Sequence, residues 1–361
     1  MTLKAIEADH YRIPLPVTLS DATHGDISHF ELVTVRLAAA DGTEGVGYTY
    51  TVGAGGEAVR SLIDRELNPV LLDQDNADIE TLWQRMWWAL HWVGRGGLVS
   101  LAISAVDIAL WDLMARRQSV PLWRLLGGAE PRVPAYVGGV DLHFPEEQLL
   151  LQARDNLAAG YRALKMKVGR PQLEEDVARV AAMRDLLGPE VALMVDANMG
   201  WSVEEAIRAS HALAEYDVTW LEEPTLPDDF AGHARVVEEG ALPVAAGENL
   251  RTLHEFQHLV EAGGVSFPEP GVSNCGGITV WLQVAELARA HDLPVTSHGV
   301  HDLHVHLLAA VANSSYLEVH GFGLERFIAH PLEIRDGLAT APDRPGHGVA
   351  FDWAALEEFR V

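Results

Sequence analysis

Two lysines, Lys165 and Lys167, lie two apart in the run YRALKMKVGR, whose other residues read as a buried strand. Lysine is among the residues least often buried. A spacing of two on a strand sends both side chains to one face, about 6.6 Å apart. Crowding two ammonium groups lowers the pKa of at least one, and a lysine that releases its proton near neutrality is a base. Three carboxylates follow at Asp196, Glu222 and Glu248, with 26 residues between each and the next. If each ends a strand, neighbouring strands bring them together, where unpaired anions would repel and a cation must hold them. Oxygen donors without histidine or cysteine suit a hard ion that keeps positions open for water and substrate, so Mg²⁺ is expected and Mn²⁺ is possible. The plainer alternatives are a salt-bridge network with the lysines, or helix capping by a residue such as Asp196.

The elements that would position these groups are legible from about residue 133 onward. Val133–Gly139, Ala163–Val168, Ala192–Ala197, Val218–Glu222, Pro243–Gly247, Val265–Phe267, Pro294–Ser297 and Tyr316–Val319 are eight short strand candidates, and the seven gaps between them carry helical patterns. One gap, PQLEEDVARVAAMRDLLG, has Pro171 near its start, acids in its first turn and Gly188 at its end, with Leu173, Val177, Val180 and Leu187 on one stripe. Eight alternating units with nearly continuous apolar strands predict an α/β fold, a (β/α)8 or TIM-like barrel, whose chemistry sits at the C-terminal strand ends. Those ends carry Lys165 and Lys167, Asp196, Glu222, Glu248, Gly271, His298 and Glu318. Residues 1–127 read as an N-terminal α+β capping domain, with a hairpin signal at Asp41-Gly42 and helical text over 76–126. The barrel domain is then 128–335, and a C-terminal segment, 336–361, is expected to return to the capping domain.

The totals exclude several classes. A chain of 361 residues with 48% apolar content is an ordinary folded protein. Its single cysteine, Cys275, excludes a disulfide framework or cysteine cluster. A formal charge of −26 argues against nucleic acid, and it means that an anionic substrate needs local positive charge at its site. No secretory signal and no uninterrupted apolar run of membrane-spanning length is apparent, so no membrane partner and a cytoplasmic location are expected. A homo-oligomer is expected, with the Trp-rich WWALHW either core or subunit interface. HDLHVH offers a His-x-His, but residues two apart in a helix-like stretch point different ways, so zinc is not expected.

At SAVDIALWD, ALKMKVG, VDAN, TWLEEPTLPDD, GEN, CGGIT, TSHG and YLEVH the chain resembles the enolase superfamily, and within it the mandelate racemase subgroup, over nearly its whole length. The resemblance implies a carboxylate substrate chelating Mg²⁺ held by Asp196, Glu222 and Glu248, with loss of the proton α to it. Lys165 and a protonated Glu318 would stabilise the enediolate, and Lys167 and His298 would face opposite sides of the substrate. Asn198 would touch the substrate or the metal shell. His24, in the 18–26 lid segment, and Tyr50, beside the 51–58 lid segment, are candidate contacts to substrate hydroxyls, and Arg95 a candidate contact to a distal anionic group.

One position departs from the subgroup's pattern. Where an aspartate usually orients the catalytic histidine, five residues before the Gly-Gly pair, this chain has Gly271. Glu269 and Asp302 are candidate substitutes. Losing the carboxylate should make His298 a weaker base and favour its use as an acid. That points to β-elimination on a sugar acid, by a dehydratase or an anhydro-sugar-acid cycloisomerase, giving a 2-keto-3-deoxy acid. GYTYTVGAGG, HWVGRGG, GGVDL and SNCGGIT are similar to 3,6-anhydro-L-galactonate cycloisomerases. A racemase or epimerase of a 2-hydroxy acid, or a relative that binds a carboxylate without turnover, are the alternatives.

Overall fold

β-Branched and aromatic residues carry the first three strands, β1 (Leu3–Asp21), β2 (Gly25–Ala39) and β3 (Glu44–Thr51), which pair antiparallel in that order. The computed structural model describes residues 2–72, 78–139, 141–320 and 322–361. Pro14 and Pro16 lack the N–H that a ladder needs, and the β1–β2 register shifts between Pro14 and Leu19. Helix Leu98–Arg117 lies against β3, so close that a side chain at Gly47 would collide with the Ala105 carbonyl. That helix is long and apolar enough to cross a membrane, yet 78% of its apolar window is buried inside the protein. Helices Ile79–Leu90 and Leu98–Arg117 occupy the stretch read as helical, whose first two positions lie outside the described residues. Within WWALHW the residues divide: Leu90 is buried, Trp87 half-buried, and Trp88 and Trp92 are 60% and 89% exposed.

The barrel strands are β4 (Arg132–Gly138), β5 (Ala163–Lys167), β6 (Ala192–Asp196), β7 (Val218–Glu222), β8 (Val244–Ala246), β9 (Phe267–Pro268) and β10 (Leu317–Val319). All are parallel to their barrel neighbours, and β10 returns to β4. The expected sixth strand is displaced toward its C-terminus. The seventh, Pro294–Ser297, forms no strand. Only a bridge from Val295 to Ser314 and the Thr296 N–H donated to Pro268 O at 3.0 Å tie it across the gap. Its side chains do the rest: Ser297 Oγ accepts the Glu318 N–H at 3.0 Å. The seven gaps hold seven helices, from Glu146–Ala158 to His301–Leu308. In Leu173–Leu187 the buried face includes Asp176 and Arg179 beside Val180, Met183 and Leu187, while Leu173 and Val177 are only half-buried.

A hairpin of β11 (Ile334–Arg335) and β12 (Leu338–Thr340) spans the expected boundary at residue 335, and β12 adds antiparallel to the N-terminal half of β4. The chain then reaches the first domain, where Arg12 N–H donates to Phe359 O at 2.8 Å and Val361 N–H to His10 O at 3.0 Å. The SAVDIALWD motif proves to be a clamp between domains. Asp107 accepts from both the N–H (2.9 Å) and hydroxyl (2.6 Å) of Thr279 at the start of helix Ile278–Ala290. Asp112 accepts from Val46 N–H and His347 N–H, each at 2.9 Å.

Burial raises Asp107 to about 7, although its hydrogen bonds from Thr279 oppose the shift. The folded protein therefore keeps a proton there that the unfolded chain releases near pH 4. Stability should fall as pH rises from about 4 through 7, by at most ~4 kcal/mol. Asp107→Asn keeps an acceptor for Thr279 and should flatten that slope. Melting temperatures compared at pH 5 and pH 8 check this, and an equal slope in both proteins would remove Asp107 as its source.

Candidate active site

The interior of the barrel is layered, because side chains two apart on a strand share a face. Tyr136, Ala163, Met194, Trp220 and Ala245 form a buried apolar floor, with Phe267 and Tyr316 packed against it. Two residues further along each strand the same inward positions become Gly138, Lys165, Asp196, Glu222, Gly247, Glu269 and Glu318. Register sets the level: Lys167 pairs with Asp196, and Asp196 with Glu222. Gly138 has no side chain because a Cβ there would lie 2.7 Å from Glu318 Oε1.

Asp196, Glu222 and Glu248 are buried and offer oxygens that all lie within 4.8 Å of one another. Trp220 Nε1–H donates to Glu222 Oε2 at 3.0 Å and Asn198 N–H to Asp196 Oδ1 at 2.8 Å, fixing two of the three carboxylates. Burial and the neighbouring carboxylates hold Glu222 well above the usual range and push Glu248 to about 7. Three buried all-oxygen donors that raise one another's pKa are a fitting set for Mg²⁺.

Both lysines sit where their spacing places them. Lys165 pairs with Glu222, with Glu318 Oε1 at 2.7 Å and with Asp196 Oδ2 at 3.6 Å; Lys167 pairs with Asp196 at 2.5 Å. The backbone of Lys167 is held from both sides, its N–H by Asp141 Oδ1 at 2.9 Å and its carbonyl by Arg179 at 2.8 Å. The expected lowering of a lysine pKa is not seen. Burial acts in that direction, but the surrounding carboxylates outweigh it and raise both, Lys165 strongly. Glu318 likewise is ionised rather than protonated: burial raises its pKa, but Lys165 and His298 more than reverse this.

His298 Nε2 lies 3.2 Å from Glu248 Oε2 and 3.9 Å from Glu318 Oε2, while its buried Nδ1 has no protein partner. Neither candidate substitute reaches it. Glu269 belongs to the layer of Lys165 and Glu222, with both oxygens unpaired, and Asp302 faces Leu332 N–H and His301. Burial lowers the pKa of His298, in the direction expected from Gly271. The two ends of the His-x-His are structural: His304 bridges Gly299 O and Val272 N–H, and His306 faces Trp123 N–H and His347 O.

These groups open into a cavity of about 460 Å³ lined by His24, Tyr50, Lys167, Asn198, Glu248, His298 and Glu318, among others. The expected lid segment 18–26 is no loop but the tip of the β1–β2 hairpin, tied down by Thr23 Oγ1 donating to Asn198 O. His24 pairs with Asp21 at 2.9 Å beside the cavity. Asn198 is buried with Oδ1 unpartnered. Arg95 is exposed and does not line the cavity, because it follows the end of helix Ile79–Leu90 on the outer surface. Sequence reasoning missed Asp21, Asn249, Arg251, Asn274 and His320, which do line it. Only Arg251 and Asn249 had a signal, their place just after Glu248.

Residues 4–127 match the mandelate racemase/muconate lactonizing enzyme N-terminal domain, and residues 148–355 match the enolase C-terminal domain-like family. The chain is 54% identical over 359 residues to 3,6-anhydro-alpha-L-galactonate cycloisomerase of Streptomyces coelicolor, covering 99% of each. It is 35% identical to L-talarate/galactarate dehydratase of Salmonella typhimurium, over 94% of this chain and 86% of that one. A racemase from Streptomyces coelicolor solved with bound magnesium superposes with a TM-score of 0.97 at 53% identity, over 99% of this chain and 100% of that one. L-Talarate dehydratase from Polaromonas sp., complexed with Mg and L-glucarate, gives 0.95 at 34% identity, over 100% and 97%. With the two-domain architecture, the acidic triad and these matches in agreement, the chain belongs to the mandelate racemase/muconate lactonizing enzyme family of the enolase superfamily.

Proposed function

We infer that this protein is a magnesium-dependent cycloisomerase that opens the ring of a 3,6-anhydro-sugar acid, 3,6-anhydro-L-galactonate being the favoured substrate. The observation that carries the reading is the placing of Lys167 and His298 in one cavity, from different strands, with the carboxylate triad between them. The 54% identity to a cycloisomerase supports the substrate.

Mg²⁺ held by Asp196, Glu222 and Glu248 would supply Lewis-acid stabilisation of charge building on the substrate carboxylate. Lys165, fixed by Glu318, presents a second positive charge to the same oxygens. With the triad's charge neutralised, burial and the adjacent Lys165 are left to act on Lys167, and both lower its pKa. Lys167 then takes the C2 proton. The C3–O bond of the ring breaks, and His298 Nε2 gives its proton to that oxygen, which remains on C6 as a hydroxyl. The enol becomes a 2-keto-3-deoxy acid of unchanged formula. A histidine with a lowered pKa and no carboxylate on Nδ1 is a stronger acid once protonated, which suits this step. Tyr50, Asn198 and His24 supply polar contacts for the substrate's oxygens.

The test is incubation of the protein with Mg²⁺ and 3,6-anhydro-L-galactonate, which should yield the 2-keto-3-deoxy acid. Recovery of a C2 epimer with no keto product would establish the racemase instead, and no C2–H exchange at all would leave a binding protein. His298→Asn should slow product formation by about 10²-fold or more while C2–H exchange in D2O continues. Loss of exchange in that variant would make His298 the base.

A further inference from the structure

Arg251 is a cation in the cavity whose charge the site does not use internally. Lys165 is paired with Glu222 and Glu318, and Lys167 with Asp196. The guanidinium of Arg251 donates from Nη1 to the backbone carbonyl of Glu248 at 2.7 Å, and no carboxylate of the described residues lies within ion-pair distance of it. Its position is rigid. It precedes helix Leu253–Glu261, closed by a capping box of Thr252 and Glu255, and its own N–H donates to Glu255 Oε2 at 2.5 Å. Arg251 lines the main cavity and also a cleft of about 300 Å³ against Trp83 and Trp87. Its charge acts on the Tyr50 hydroxyl on one side and the Cys275 thiol on the other. In a chain of net charge −26, an uncompensated guanidinium in a substrate cavity is a place for an anion. Its planar fork matches a carboxylate.

We propose that Arg251 seats the second carboxylate of a six-carbon aldaric acid, giving this site a second reaction, the dehydration of hexarates. The chemistry rests on the reading of Lys167 and His298 above. Lys167 takes the C2 proton, the C3–O bond breaks, and His298 protonates the departing hydroxyl, which leaves as water. The enol becomes a 2-keto-3-deoxy diacid, with no oxidant or reductant required. Arg251 thereby determines specificity: it distinguishes a carboxylate at C6 from a hydroxymethyl group.

Galactarate and galactonate differ only in that group. In the Lys167→Met background with Mg²⁺, calorimetry should show galactarate binding about tenfold or more tighter than galactonate. Arg251→Gln should erase the difference, and Arg251→Lys should restore part of it, with melting curves confirming that each variant is folded. Equal affinities in the parent, or a difference that survives Arg251→Gln, would overturn the role of Arg251. For the second reaction, the unmodified protein should convert galactarate, glucarate or talarate to a 2-keto-3-deoxy diacid. Conversion of the anhydro acid but of none of the three hexarates overturns the dehydratase activity and leaves the cycloisomerase standing. Conversion of a hexarate but not of the anhydro acid does the reverse.

Discussion

Glu222→Gln should lower turnover by about 10³-fold or more and weaken Mg²⁺ binding by at least about 10²-fold. Glu222 accepts from Lys165 through one oxygen and from Trp220 Nε1–H, at 3.0 Å, through the other. A glutamine has one acceptor and one donor end, so whichever way the amide turns, an NH2 group faces another donor. The substitution also removes a full negative charge from the set of three that would hold the ion. Magnesium titration calorimetry, run beside a product assay, separates the two effects. Unchanged magnesium affinity in the variant would mean that Glu222 is not a ligand, and the roles assigned to Asp196 and Glu248 would fall with it.

Lys167→Met should abolish exchange of the C2 proton with D2O and lower turnover by about 10²- to 10⁴-fold. Methionine replaces the flexible aliphatic stem without the ammonium, so packing in the barrel is largely kept. Asp196 would retain the Asn198 N–H at 2.8 Å and Lys165 at 3.6 Å, so its orientation should survive. NMR of the substrate's C2 position in D2O reads the result directly. Exchange at an undiminished rate would exclude Lys167 as the base. Paired with His298→Asn, which should keep exchange and lose product, the two variants assign one proton transfer to each side of the cavity.

The barrel and its capping sheet were legible because period-two and helical patterns, once repeated eight times, leave few alternatives. Pro294–Ser297 was read as a strand because Val295 and Thr296 have the right composition. It pairs through little more than a bridge, since Ser297 uses its hydroxyl where a ladder would use backbone. The lysine pKa shift was misjudged for a related reason. Spacing reveals that Lys165 and Lys167 share a face, but not that Glu222, Glu318 and Asp196 come from three other strands to the same point. Arg95 looked like a ligand group because it stands between glycines in VGRGG, and the same glycine-rich turn leaves it on the surface.

By itself the sequence determined the residue types on each inward face, because side chains two apart on a strand share a side whatever the rest of the chain does. It therefore determined the order of ligands and lysines around the barrel mouth. Tertiary structure alone decided which charges meet and which remain free: Lys165 between three carboxylates, Asp107 capping a helix of the other domain, His298 with an unpartnered Nδ1, and Arg251 without a carboxylate. Charge interactions act through space and depend on burial, so groups distant in sequence govern them.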